Sequence, residues 1–196
     1  MPRWEHGSEE RLTQAALDLF AEQGFEDTSV LQIADRARVT PRTFFRYFSD
    51  KREVLFAHAD ELRGELLRRV VEAPDVGDPL AVVVEALSGF DWGSRDREVQ
   101  RRRQALIVAN TELLERELVK NAAMAEDFAG ALQRRGVGAR SARLAARVGS
   151  QIFLVAYEEW LAADHGSADL AAVTDEVMAS FRAVAPQARS VPGAGS

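Results

Sequence analysis

Residues 28–51, TSVLQIADRARVTPRTFFRYFSDK, leave little freedom in how they fold, because their caps, apolar spacing and corner residues all point to two short helices meeting at a tight turn. Ser29 followed by Gln32 three residues later is a capping box. Val30, Ile33, Ala34 and Ala37 then supply one buried face. Val39 closes the turn. Thr40 is a second N-cap, and Pro41 stands at the first helical position, where its missing N–H costs nothing and its fixed φ suits the helix. Along this second helix Phe44 and Phe48 lie four apart and face inward, which leaves Arg42, Thr43, Arg46 and Tyr47 on the remaining surface, with Phe45 between the two faces. Asp50, with Glu53 three residues later, is a third N-cap and a second capping box. The predicted product is a helix-turn-helix.

Charge gathers on the same stretch. The whole chain is acidic, with a formal net charge of -6, yet between Arg36 and Arg52 the cations Arg36, Arg38, Arg42, Arg46, Lys51 and Arg52 face one acid, Asp50. A run of charge is often only a solvated helix face. Here it coincides with a capped helix-turn-helix, and phosphate attraction needs just such a local concentration, while base reading needs side chains near the start of the second helix. Double-stranded DNA is the partner this combination fits.

These residues resemble the DNA-binding signature of TetR/AcrR-type transcriptional regulators: residues 28–51 with Glu53 and Leu55 behind them, preceded by the amphipathic segment 11–25 with its Phe20, Gly24 and Phe25. The likeness covers roughly a quarter of the chain. It implies an all-α fold of about nine helices, an N-terminal three-helix DNA-binding domain at 1–51 joined to a larger effector-binding and dimerisation domain at 52–185, and a homodimer formed through the last two helices. It also implies a palindromic operator and a small-molecule effector that releases it. On that basis Arg42, Thr43, Phe45 and Arg46, following Pro41, are expected to face bases, and Ser29, Thr40, Tyr47 and Lys51 to hold phosphates. Two positions depart from the family. Arg38 stands where a turn glycine is usual, so it either strains the turn or adds a phosphate contact, and Phe45 replaces a tyrosine that commonly donates to phosphate, so it offers only apolar contact, as to a thymine methyl. An alternative is a helical interaction module of the same fold that has lost sequence-specific DNA binding.

The rest of the chain reads as helices. Residues 1–7 form an arm with Arg3, Trp4 and His6, and Ser8 caps a first helix packed through Leu12, Ala16, Leu19 and Phe20. A fourth helix is predicted from Asp50 to about residue 72, a short apolar one over 80–87 capped by Asp78, and another opened by Ser94 that carries Arg101, Arg102 and Arg103. Three arginines in a row cannot share one face, so one or two turn inward or sideways, or pair with Glu85, Asp96 or Glu98. A helix over 112–135 buries Leu113, Leu114, Leu118, Phe128 and Leu132. One over 142–164, capped by Ser141, contains Ala146, Gly149 and Ser150, small enough to admit a close neighbour. A last helix spans 169–185, and the tail at 186–196, rich in Pro, Gly, Ala and Ser, is expected to be disordered. Trp92, Arg102, Asn110, Tyr157 and Trp160 are the candidate effector-lining residues.

What is missing narrows the function. With no cysteine there is no thiolate metal site and no thiol nucleophile, and His6, His58 and His165 stand at no ligand spacing, so neither a metal nor a cofactor is expected. No strand pattern, phosphate-cradling glycine loop or nucleophile elbow occurs, which leaves enzyme activity without support. No apolar run approaches a membrane span and the N-terminal residues are polar, so a cytoplasmic protein with no membrane partner is expected.

Overall fold

The computed structural model describes residues 6–74, 76–163 and 169–184. Every regular element among them is helical: α1 (His6–Gln23), α2 (Val30–Arg36), α3 (Pro41–Tyr47), α4 (Ala59–Glu72), α5 (Pro79–Ser88), α6 (Arg97–Ala109), α7 (Thr111–Arg134), α8 (Ala139–Ala162) and α9 (Leu170–Val184), with 3-10 turns at Glu53–Phe56 and Trp92–Ser94. The tail at 186–196, the arm before His6 and His165 lie outside the described residues.

The chain divides into two compact units. The first comprises Met1–Glu65 and Gly93–Ala122, so the unit that holds α1, α2 and α3 runs past residue 51 and takes in α6 and the first half of α7. Leu12, Ala16, Leu19 and Phe20, spaced for one face of α1, are all buried as their pattern requires. They meet Ile33, Phe44, Phe48, Val54 and Leu55, with Ile107 from α6 and Leu113 from α7. Gly24 ends α1 at φ 89°, a left-handed conformation that costs glycine nothing. Ser8 does not cap α1: the helix already begins at His6, and the buried Ser8 hydroxyl accepts from Arg11 Nη2 at 3.2 Å.

Helix four is also shorter than its periodicity suggested. Asp50 Oδ1 accepts from the backbone N–H groups of Arg52 (2.8 Å) and Glu53 (3.2 Å), but what it opens is the Glu53–Phe56 3-10 turn, and α4 starts afresh at Ala59 after His58 adopts φ 60°. The turn is gripped by α6 and α7. Arg103 donates to Leu55 O at 2.6 Å and pairs with Glu117 at 3.2 Å; Glu53 pairs with Arg116 and, at 3.7 Å, with Lys120. Arg103 and Lys120 also lie over the Phe56 ring, each 5.3 Å from its centroid. Of the arginine run, then, Arg103 is the inward member, Arg101 pairs with Glu98 at 2.6 Å, and Arg102 is exposed. Asp96, not Ser94, caps α6 by accepting from Glu98 N at 2.9 Å and Val99 N at 3.3 Å. Leu118, expected on the inner side of α7, is 58% exposed.

The second unit comprises Leu66–Trp92 and Ala123–Ser196. Its centre is the packing of α5, α8 and α9, where Val84, Ile152 and Met178 are buried together. The small residues of α8 serve as expected: a Cβ added at Gly149 would come within 2.9 Å of Val83 Cγ1, so only glycine permits this helix approach. Ser141 is not the cap of α8, which begins at Ala139 behind Gly138 with no side-chain cap. Arg135 closes the end of α4 by donating to Val70 O at 2.8 Å and to Ala73 O, two carbonyls that the helix itself leaves unpaired. Along one side of α8 and α9 a groove of about 460 Å³ is lined by Val148, Ile152, Val155, Val177 and Phe181.

Candidate nucleic-acid interface

The helix-turn-helix is assembled by the local bonds its sequence calls for. Gln32 N donates to Ser29 Oγ at 3.3 Å and Ser29 N to Gln32 Oε1 at 2.8 Å, completing the capping box of α2. At the other end of α2, Arg38 N donates to Asp35 O and Val39 N to Ala34 O, both at 2.9 Å, the paired closing bonds of a Schellman turn. That turn requires a left-handed residue two places after the helix, and Arg38 supplies it at φ 56°. Thr43 N then donates to Thr40 Oγ1 at 3.2 Å, with Pro41 at the first helical position of α3. Arg11 Nε donates to Ala37 O at 3.3 Å and so ties α1 to the same corner.

Packing decides which face of α3 is presented. Phe44 and Phe48 are 0% and 4% exposed, whereas Phe45 is 59% exposed. Phe45 meets Phe44 edge to face at 5.4 Å, which steadies an otherwise exposed ring. Pro41, Arg42 and Arg46 are exposed, and Thr43 and Tyr47 half-buried. The outer face of α3 thus carries Arg42, Phe45 and Arg46 on a base of aromatic core. Leu31 of α2, which sequence reasoning did not single out, is 67% exposed; its place one residue off the Val30–Ile33–Ala34 face was the available signal.

The cations of this region are not equivalent. Arg36 is held by Glu22 through bonds of 2.9 and 2.7 Å, and the hydrogen bond from Arg36, helped by its charge, keeps the Glu22 carboxyl below the ordinary carboxylate range. Arg52 pairs with Asp50 at 3.0 Å and Glu112 at 3.2 Å. Burial pushes the Asp50 carboxyl up, but the hydrogen bonds from the side chain and backbone of Arg52 and from the backbone of Glu53 outweigh it and hold the group below its usual value. Arg46 lies 4.9 Å over the Tyr47 ring and donates to the Tyr47 hydroxyl at 2.9 Å.

Lys51 differs most from expectation. Its Nζ donates to Phe25 O at 2.7 Å, Glu26 O at 3.0 Å and Thr28 O at 3.1 Å, and lies 4.4 Å from the centroid of the Phe25 ring. An ammonium has three donors, and all three are engaged by the loop between α1 and α2. In this structure Lys51, expected to hold phosphate, fastens the loop. Arg38 and Arg42, by contrast, are exposed and have no ion-pair or hydrogen-bond partner among the described residues. Cationic charge with no acidic partner among the described residues stands at Arg38 and Arg42, on either side of the Thr40–Pro41 corner, and at Arg46, which meets only the neutral Tyr47 side chain.

Of the candidate effector-lining residues, the structure gathers Trp92, Tyr157 and Trp160 in the second unit. Trp92 lies 5.4 Å from Tyr157 and 5.3 Å from Phe153, and Tyr157 lies 5.7 Å from Trp160, between ring centroids. Trp92 is buried and donates through Nε1 to Leu87 O at 2.7 Å. Arg102 and Asn110 belong to the first unit and do not join this cluster; the Asn110 amide donates to Leu106 O at 2.6 Å.

Comparison with known proteins places these features in context. Residues 12–58 match the model of the bacterial regulatory proteins of the tetR family. The chain is 36% identical over 107 residues to the HTH-type transcriptional regulator TcmR of Streptomyces glaucescens, a match that takes in 55% of this chain and 47% of TcmR, about half of that protein's length. It is 30% identical over 157 residues to MftR of Mycobacterium tuberculosis, whose name assigns it provisionally to transcriptional regulation of mycofactocin biosynthesis, with 76% of this chain and 78% of MftR covered. In fold it is similar to the crystal structure of Thermus thermophilus FadR, a TetR family transcriptional repressor in complex with lauroyl-CoA: TM-score 0.55, 22% identity, 94% of this chain and 99% of that one.

Proposed function

Because the chain belongs to the TetR family of bacterial transcriptional regulators, which are DNA-binding proteins and not enzymes, we propose that it is a ligand-responsive repressor that binds a palindromic operator as a homodimer and is released by a small-molecule effector. The observation that carries this is α3: a helix seated on buried Phe44 and Phe48 that presents Arg42, Phe45 and Arg46 outward, with Arg42 unpaired among the described residues. In the proposal Arg42, Thr43, Phe45 and Arg46 meet base edges in the major groove, and Ser29, Thr40 and Tyr47 meet phosphates. Residues 1–51 carry DNA binding and 52–185 carry effector binding and dimerisation.

The partner copy is assigned to the α8 and α9 groove, where Val155 is 44% and Val184 78% exposed although both are large and apolar. The effector is assigned to the Trp92, Tyr157 and Trp160 side of the second unit, and the acyl-CoA complex of FadR supports a small-molecule partner in a protein of this fold. A ligand releases the operator only if it binds the two dimer shapes with different affinity, and couplings of about 1–3 kcal/mol are typical. The protein is placed in the cytoplasm, with its DNA; no helix among the described residues is long and apolar enough to cross a membrane.

Dimethyl sulfate protection on a fragment of the gene's own promoter tests the proposal. Guanine N7 lies in the major groove, so protection is expected in two clusters about one helical turn, 34–36 Å, or a whole number of turns apart. A single cluster, or binding with no N7 protected, would overturn the dimer or the groove assignment respectively.

A further inference from the structure

Arg38 is in a conformation that an arginine adopts only against its own sterics. At φ 56° its Cβ crowds the following carbonyl, and the turn bonds from Arg38 N and Val39 N leave the backbone no other arrangement. Glycine would occupy the position without cost. A strained residue that no packing requires points to a role for its side chain, and nothing within the fold requires this one: the side chain is exposed and, among the described residues, has neither ion pair nor hydrogen bond. Of the neighbouring cations outside α3, Arg36 is engaged by Glu22, Lys51 by three carbonyls and Arg52 by Asp50 and Glu112.

We infer that Arg38 is an added phosphate clamp, a sequence-independent anchor for the operator backbone, and that it is kept at the expense of the stability of the turn. The inference rests on the DNA-binding reading above and deepens it. Arg38 lies two residues before Thr40, whose capped helix start opens α3, so with α3 in the groove as proposed its exposed side chain would stand within reach of the flanking duplex backbone. The contact is to phosphate and not to a base, because the residue stands outside α3 and has a long flexible stem bearing a permanently charged fork.

The test sets melting against salt-dependent binding for wild type, Arg38→Gly, Arg38→Asn and Arg38→Lys, with a promoter duplex as probe. Arg38→Gly is expected to raise Tm by roughly 1–4 °C by relieving the left-handed strain. Two copies per dimer lose two phosphate contacts, so the slope of log K against log salt becomes shallower by about 1.8, and the deficit relative to wild type is roughly 12-fold larger at 50 mM than at 200 mM salt. Base preference stays unchanged. Arg38→Asn, which tolerates the left-handed region, should lose the same slope, and Arg38→Lys should retain it. If Arg38→Gly melts later but binds with the wild-type slope, the arginine is no clamp and this inference falls alone. If the wild-type protein binds no duplex at any salt, the DNA-binding reading falls with it.

Discussion

Phe44→Ala is expected to cost about 3–5 kcal/mol, the range for removing a fully buried phenyl ring from a well-packed core. Phe44 is 0% exposed and is the most deeply buried side chain of the outward-facing α3, with Phe48 at 5.5 Å between ring centroids and the α1 residues Leu12, Ala16 and Phe20 in the same cluster. Total stabilities of domains lie in the range of about 5–15 kcal/mol, so the loss is a large fraction of the whole and should lower Tm by roughly 6–20 °C. Phe45→Ala is the control. Phe45 is adjacent in sequence but 59% exposed, so its removal should leave melting within about 0.5 kcal/mol of wild type while altering DNA binding. Calorimetry on the two variants reads the difference, and equal melting temperatures would mean that α3 is not held by this face.

Val155→Glu addresses the proposed dimer. Val155 is 44% exposed on the lip of the groove formed with Ile152, Val177 and Phe181, so a carboxylate there is harmless to a lone subunit but is desolvated without a partner when a second copy covers it. Sedimentation should show a monomer that keeps the wild-type helical content but melts earlier than the dimer, at a temperature that no longer depends on protein concentration. Operator affinity should fall by about 10²–10⁴-fold, because the second reading head loses the high effective concentration that linkage to the first provides. A variant that stays dimeric with full affinity would move the interface to another face, and the exposed Leu118 of α7 would be the next place to look.

How much of this was legible beforehand follows from the range of each interaction. The Ser29–Gln32 box, the Thr40 cap with Pro41 and the division of α3 into Phe44 and Phe48 inside against Arg42 and Arg46 outside depend on residues within four positions of one another, and spacing alone reveals them. The fates of the cations are not local. Glu22 lies 14 residues from Arg36 and Phe25 lies 26 residues from Lys51, so nothing in the run of charge distinguished an engaged cation from a free one. The same holds for Arg103, whose partner Glu117 belongs to the next helix. Helix starts at Ser8 and Ser141 were misplaced because a serine ahead of acids or apolar residues signals a cap only if the chain before it is extended, and there it is already helical. The break at His58 had only a weak cue, since the apolar spacing runs on from Leu55 through Ala59 and histidine, although enriched among non-glycine residues at positive φ, adopts ordinary helical angles far more often.

The outward face of α3 is best tested by measuring wild type, Arg42→Ala and Lys51→Met against operator duplexes that each carry one base-pair change, alongside their melting curves. Wild type should lose about 1–3 kcal/mol at the positions read directly. Arg42→Ala should melt like wild type and be indifferent to base identity at one position in each half-site. Lys51→Met should keep the full wild-type preference but melt several degrees earlier, having left three loop carbonyls without their donor. An Arg42→Ala protein with the wild-type pattern of preference would mean that α3 is not the element that reads the bases.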